Sequence, residues 1–330
     1  MLEHGGRLRA AARRHGIPLS DWLDLSTGIA PYTPPLPTIP PSAWMRLPEP
    51  DDALIGAAQR YYGTDALLPV AGSQAAIQCL PRLRSTADVG VVSPCYGEHA
   101  QAWTRAGHRV LEFGEGAVRR AIPRLDVLVV VNPNNPTGRR LPVELLLQWH
   151  AELAEHGGWL VVDEAFVDCT PADSLVPHLS RPGLIVLRSF GKFFGLAGAR
   201  LGFVMADPAL LRSLDVQLGP WAVAGPARYL AACLLTDAPA QMRQRERLMA
   251  DGARLAELLR RHDLTPTGGT ALFQWVTCEH AATLAGWLAE RAILVRTFRH
   301  PASVRFGLPG DEQGWARLDR ALGQYRQVHP

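Results

Sequence analysis

The feature that most limits the fold is a pair of apolar runs separated by one amphipathic stretch. Asp126 to Gly138, Asp-Val-Leu-Val-Val-Val-Asn-Pro-Asn-Asn-Pro-Thr-Gly, reads as a buried strand running into a Pro/Asn/Gly turn. Trp159 to Asp168, Trp-Leu-Val-Val-Asp-Glu-Ala-Phe-Val-Asp, reads as a second strand ending in Asp163. Leu141 to His156 between them has the pattern of an amphipathic helix. Strand, crossover helix and strand require a parallel sheet, because parallel neighbours cannot be joined by a tight turn. In such a sheet the polar residues at the carboxyl ends of the strands face a common ligand crevice.

A third apolar run, Leu184 to Leu187, leads into Arg188 to Phe203, Arg-Ser-Phe-Gly-Lys-Phe-Phe-Gly-Leu-Ala-Gly-Ala-Arg-Leu-Gly-Phe. Burial lowers the pKa of a lysine such as Lys192, and a neutral amine is the form that attacks an aldehyde to make a Schiff base. Eight residues on, Arg200 lies between Gly198 and Gly202, where no side chain bars a phosphate. An amine for an aldehyde and a guanidinium for a phosphate suggest pyridoxal 5'-phosphate (PLP), which carries both groups. Taken alone, the stretch is equally compatible with a surface turn bearing two ordinary basic residues. Asp163 adds a carboxylate able to pair with a pyridinium nitrogen and keep the ring electron-withdrawing.

Asn135, Asp163, Lys192 and Arg200 follow one another at spacings that resemble those of fold-type I PLP enzymes, and the resemblance covers nearly the whole chain. It implies an α/β fold: a large domain with a mostly parallel central sheet flanked by helices, plus a small α/β domain. The expected boundaries are an N-terminal arm and linker over residues 1–50 packing with the small domain, a PLP-binding domain over 51–225 and a small domain over 226–330. The small domain should hold short strands at Ala271 to Thr277, Ile293 to Thr297 and Ser303 to Gly307.

Along the chain, His4-Gly5-Gly6 precedes an Ala/Arg/Leu-rich stretch, Arg7 to His15, that should be a short helix. A similar His-Gly-Gly opens the threonine-phosphate decarboxylases of cobalamin synthesis, which implies that His4, Gly5 and Gly6 meet the substrate; a frayed terminus is the competing reading. Trp22 to Pro50 is too rich in proline for helix or central strand and should be an extended connection. Gly72-Ser73-Gln74 follows a short strand and opens a helix, the expected phosphate cup, although serine caps helices of every kind. Tyr96 follows the next strand, Val89 to Val92, and aligns with the family's ring-stacking aromatic, a contact of about 0.5–1.5 kcal/mol beyond area burial. Ser189 belongs with the cofactor-binding set beside Lys192. Arg305, in Ser-Val-Arg-Phe-Gly, matches the family's carboxylate-binding arginine. Arg299 joins it as a substrate-binding candidate, with Arg296 weighed at the same level.

Two departures stand out. Phe166 occupies the position where many aminotransferases of the superfamily have a tyrosine touching the cofactor's phenolic oxygen, leaving Asn135 as that oxygen's expected partner. Leu47 stands where the family's partner subunit supplies a tyrosine. The Asp-Glu-Ala-Phe form, Gly-Lys at the lysine and Gly219 to Pro226, Gly-Pro-Trp-Ala-Val-Ala-Gly-Pro, resemble the decarboxylase branch; histidinol-phosphate aminotransferases usually show Ser-Lys.

Composition sets the remaining bounds. With 34 basic and 31 acidic residues the formal charge is +3, too balanced for the basic field that nucleic acid or an anionic membrane needs. Five cysteines without a Cys-x-x-Cys pair argue for reduced thiols in a cytoplasm and against a disulfide framework or a zinc site. No run approaches a membrane span or a signal peptide. The expectation is a cytoplasmic PLP enzyme, a homodimer by resemblance, acting on a small phosphorylated amino acid without metal. The family implies decarboxylation of L-threonine O-3-phosphate to 1-amino-2-propanol phosphate. A histidinol-phosphate-type aminotransferase and a PLP-binding regulatory module are the alternatives, the latter disfavoured because no DNA-binding domain fits the first 50 residues.

Overall fold

The apolar runs pair into a seven-stranded sheet in the computed structural model of the chain, which describes residues 4–329. Its strands are β1 (Leu67–Val70), β2 (Asp88–Val92), β3 (Arg109–Phe113), β4 (Val127–Val131), β5 (Trp159–Asp163), β6 (Leu184–Ser189) and β7 (Gly202–Met205). Their order across the sheet is β1-β7-β6-β5-β4-β2-β3. Every neighbouring pair is parallel except those of β7, which runs antiparallel to β1 and β6. This is the mostly parallel central sheet that the resemblance implies.

Helices cover both faces, which is why the central strands read as unbroken apolar runs. On one face Val89, Val91, Val127, Val129 and Val161 pack with Trp103 and Leu214 of flanking helices. The helix Val143–Ala154 buries Leu146, Trp149 and Leu153. At about 1.5–3 kcal/mol for each large apolar side chain withdrawn from water, these layers hold the strand ends in register.

The described chain divides into two compact units. One holds the chain up to Tyr32, Pro136–Arg139 and the chain from Glu246 onward; the other holds Thr33–Asn135 and Arg140–Arg245. The larger unit therefore runs beyond the boundary expected at residue 225. Arg228, on the helix Gly225–Thr236, grips Asp52 through two hydrogen bonds of 2.5 and 2.7 Å, and Asp52 also caps the helix Ala53–Tyr62. That clamp ties the helix to the sheet-bearing unit. Within the next helix, Ala238–Arg261, Gln244 donates to the Phe193 carbonyl and Arg245 to that of Asp168.

The smaller unit contains β8 (Gly268–Thr270), β9 (Phe273–Thr277), β10 (Arg296–Arg299) and β11 (Ala302–Gly307), an antiparallel sheet ordered β10-β11-β9-β8. Leu23–Asp24 pairs in parallel with Ile293–Leu294, so the proline-rich connection begins as a strand of this unit. The helix Leu8–His15 packs Leu8, Ala11 and Ala12 against Trp22, Ala289 and Ala292. The Pro-rich segment also contains one helical turn, Ser42–Met45. Among the described residues no helix is long and apolar enough to cross a membrane.

Candidate active site

The strand ends of the larger unit assemble most of the expected cofactor residues. Asp163 closes β5 with only 3% of its surface exposed. One carboxylate oxygen takes the Ala165 N–H at 3.0 Å; the other lies 2.9 Å from Nε2 of His99, itself buried. Sequence reasoning missed His99. It stands in the helix Glu98–Arg105, three residues after Tyr96, with rings in edge-to-face contact at 6.1 Å.

The Tyr96 hydroxyl donates to Gln74 Oε1 at 3.0 Å, and Gln74 and Gln78 both donate to Glu98. Burial, helped by the negative charges of Glu98 and Asp163 and opposed by Arg200, pushes the Tyr96 phenol up to about 12. It is therefore a neutral donor at physiological pH, and Gln74 is fixed as its acceptor.

Gly72, Ser73 and Arg200 form a cradle. Gly72 has φ +74° and ψ 154°, a backbone state open essentially to glycine alone. A Cβ there would lie 2.8 Å from Arg200 Nη2, so the guanidinium rests directly over the glycine. A Cβ on Gly202 would lie 2.6 Å from the Ser73 nitrogen, which brings the start of β7 against the same turn. Arg200 itself adopts the left-handed region at φ 52°, and its Nη1 donates to the Ala197 carbonyl at 3.1 Å. Ser189 lies opposite Gly202 in the β6–β7 ladder.

Lys192 is half-buried on the single helical turn Phe190–Phe193. Its amine lies 5.8 Å from the centre of the Phe166 ring, so the residue that replaces the family's tyrosine does face the lysine. Of the 34 basic residues in the chain, Lys192 is the only lysine. Asn135 is half-buried at the end of the turn after β4, next to Asn134, which donates to the Pro94 carbonyl at 2.8 Å. Beneath the lysine turn, Arg188 is 4% exposed. It bonds Asp168 at 2.6 Å, approaches Glu164 at 3.4 Å and stacks over Tyr62.

The smaller unit carries the substrate candidates. Arg305 is 6% exposed, donates from Nη2 to the Ser26 carbonyl at 2.8 Å and stacks over Phe273. Burial, then the like charge of Arg296, pulls its pKa down to about 10, against the opposing effect of Asp24; it remains a cation at neutral pH. Arg296 is Arg305's direct cross-strand partner, so the two share a sheet face. Arg299, three residues on, points to the other face, pairs with Ala302 and is exposed. The structure thus joins Arg296, not Arg299, to Arg305. Gly5 and Gly6 lie against Ser26 and Thr27, and His4 is exposed at the head of that arm. Among the described residues no group of three or more His, Cys, Asp or Glu side chains could hold a metal ion.

A mostly parallel sheet whose strand ends present a carboxylate, a lysine and a glycine-lined anion cradle defines the class of protein. The chain belongs to the aminotransferase class I and II family, whose pattern matches residues 42–322. It is 61% identical to the threonine-phosphate decarboxylase of Pseudomonas aeruginosa, over 99% of both chains. With the threonine-phosphate decarboxylase of a Sinorhizobium species it shares 45% identity over 98% of each. Among solved structures, histidinol-phosphate aminotransferase from Sinorhizobium meliloti, in complex with pyridoxal-5'-phosphate, superposes with a TM-score of 0.86. That match has 21% identity and covers 100% of this chain and 96% of the other.

Proposed function

We propose that this chain is a PLP-dependent decarboxylase that converts L-threonine O-3-phosphate to carbon dioxide and (R)-1-amino-2-propanol O-2-phosphate, for cobalamin biosynthesis. The observation that carries the reading is the 61% identity, over essentially the full length of both chains, to a threonine-phosphate decarboxylase. The likeness to a histidinol-phosphate aminotransferase, at 21% identity, extends to the fold.

The residues present fit PLP. Gly72, Ser73 and Arg200 would take its phosphate, Gln74 and Ser189 would flank it, Tyr96 would stack on the ring and Asn135 would meet the phenolic oxygen. Asp163 would hold a proton at the pyridine nitrogen, and Lys192 would carry the aldehyde. When bound, PLP supplies an electron sink for the bond that breaks at the substrate's alpha carbon.

The chain's own contribution is orientation and proton control. Asp163, buried and bonded to His99, is oriented by that contact, as a carboxylate with a fixed hydrogen-bond partner should be. Arg305, anchored to the Ser26 carbonyl, positions the substrate carboxylate without binding it so tightly that its loss is opposed. His4, Gly5, Gly6, Arg299 and Arg296 are the candidates for the phosphate, and the pairing of Arg296 with Arg305 favours Arg296. Lys192 would deliver a proton to the carbon from which carbon dioxide has left, replacing the lost carboxylate. The balanced composition and unpaired cysteines support a cytoplasmic enzyme. Family membership and the exposed Trp44, Met45 and Leu47 support a homodimer, which light scattering would register as twice the mass of the chain.

The test is to offer the purified, PLP-loaded protein L-threonine O-3-phosphate without keto acid and to measure carbon dioxide. Gas release supports the reading. Silence there, with glutamate formed from histidinol phosphate and 2-oxoglutarate, would replace it with the aminotransferase.

A further inference from the structure

Three contacts of the smaller unit converge on Ser26, which is 2% exposed. Its hydroxyl donates to Asp24 Oδ1 at 2.6 Å and accepts the Gly6 N–H at 2.7 Å. Its carbonyl accepts from Arg305 at 2.8 Å. The directions are determined: a hydroxyl has one proton, the carboxylate takes it, and the oxygen's lone pair faces the amide. Asp24 also accepts the Ser26 N–H at 2.9 Å, which fixes the residue's backbone as well as its side chain.

Gly5 completes the contact. A Cβ on Gly5 would stand 2.2 Å from the Ser26 carbonyl oxygen, the oxygen that holds Arg305, so any side chain there would lift the arm. We propose that Ser26 is a positioning residue, whose hydroxyl clasps the arm bearing His4 while its carbonyl holds Arg305, so that phosphate and carboxylate recognition are set by one residue. This rests on the decarboxylase reading and adds to it the means by which an exposed arm is held. Ordering the backbone of such an arm costs conformational entropy, so a segment this short stays docked only where specific bonds offset that loss.

The experiment uses the PLP-loaded protein and the variants Ser26→Ala, Gly5→Ala, His4→Ala and Ser26→Ala/His4→Ala. Amide hydrogen exchange of the N-terminal peptide reports the clasp, and KM and kcat for L-threonine O-3-phosphate report its consequence. Exchange at Gly6 should quicken in Ser26→Ala and Gly5→Ala. KM should rise about tenfold in each with kcat within about twofold, as expected for one lost hydrogen bond that holds a charged contact. In the His4→Ala background, Ser26→Ala should add little, because both act through the same arm. Gly5→Ala keeps the conclusion testable if Ser26→Ala folds poorly. Unchanged KM in both arm variants, or full additivity with His4→Ala, overturns the proposal while leaving a working wild-type decarboxylase in place. A wild type that releases no carbon dioxide sinks the decarboxylase reading itself, and the clasp's role with it.

Discussion

Arg188→Met tests whether the lysine turn rests on a buried charge network. Arg188 occupies the penultimate position of β6, four residues before Lys192, and holds two carboxylates, Asp168 at 2.6 Å and Glu164 at 3.4 Å. Glu164 is fully buried and also accepts from Ser174 Oγ and the Leu175 N–H. Removing one partner of a buried pair strands the other charge, at about 3–5 kcal/mol. An entropy of unfolding near 2.1 cal/mol/K per residue gives about 0.7 kcal/mol/K for a chain of 330 residues, so Tm should fall by about 4–7 °C. The loss should depend on pH. Burial raises the Glu164 pKa, and Arg188 is the largest influence lowering it. Without Arg188 the folded-state pKa climbs further above the unfolded value. The resulting penalty is complete above the folded pKa and disappears as pH falls through it toward the unfolded value. Calorimetry at pH 8 and pH 5 should show the gap from wild type narrowing in acid, and Glu164→Gln should recover part of the loss in the Arg188→Met background. A gap of equal size at both pH values, with further loss from Glu164→Gln, would refute the argument.

Borohydride treatment of the PLP-loaded protein should leave a pyridoxyl group on Lys192, read by peptide mass spectrometry, and Lys192→Ala should leave none on any side chain. Gly72→Ala forces a side chain into a backbone state that costs about 1–3 kcal/mol and against Arg200, so cofactor affinity measured by titration should drop roughly 10- to 100-fold. Arg296→Ala should raise KM for the phosphorylated substrate about 10-fold or more, the value of a charged hydrogen bond, whereas Arg299→Ala should change it about twofold at most. Equal effects would mean that the sheet face does not select the phosphate ligand.

What could be read from the chain was set by sequence distance. The strands β4, β5 and β6 are legible because a parallel sheet covered on both sides must be apolar at every position, and their polar ends then advertise Asp163 and the lysine turn. His99 was not legible: its contact with Asp163 spans 64 residues, and nothing in Tyr-Gly-Glu-His distinguishes it from a surface histidine. The choice between Arg296 and Arg299 needed the register of β10 on β11. Spacing alone separates the two onto opposite faces and leaves open which face Arg305 shares. The limit of the larger unit was hidden for a similar reason, since Arg228 reaches back 176 residues to Asp52.

The use of basic residues follows the chemistry that each must perform. On the proposed reading Arg200, Arg296 and Arg305 bind anions and have to stay charged throughout, and a guanidinium does so even when burial and a like charge pull Arg305 down to about 10. The residue that meets an aldehyde must instead be able to lose its proton, which an ammonium group can and a guanidinium cannot. A chain with one lysine among 34 basic residues offers PLP a single side-chain amine. Selectivity of attachment then comes from composition before any pocket geometry is involved. On the proposed reading the glycine cradle and Asp163 would have only to orient a group whose point of covalent attachment has no competitor among the side chains.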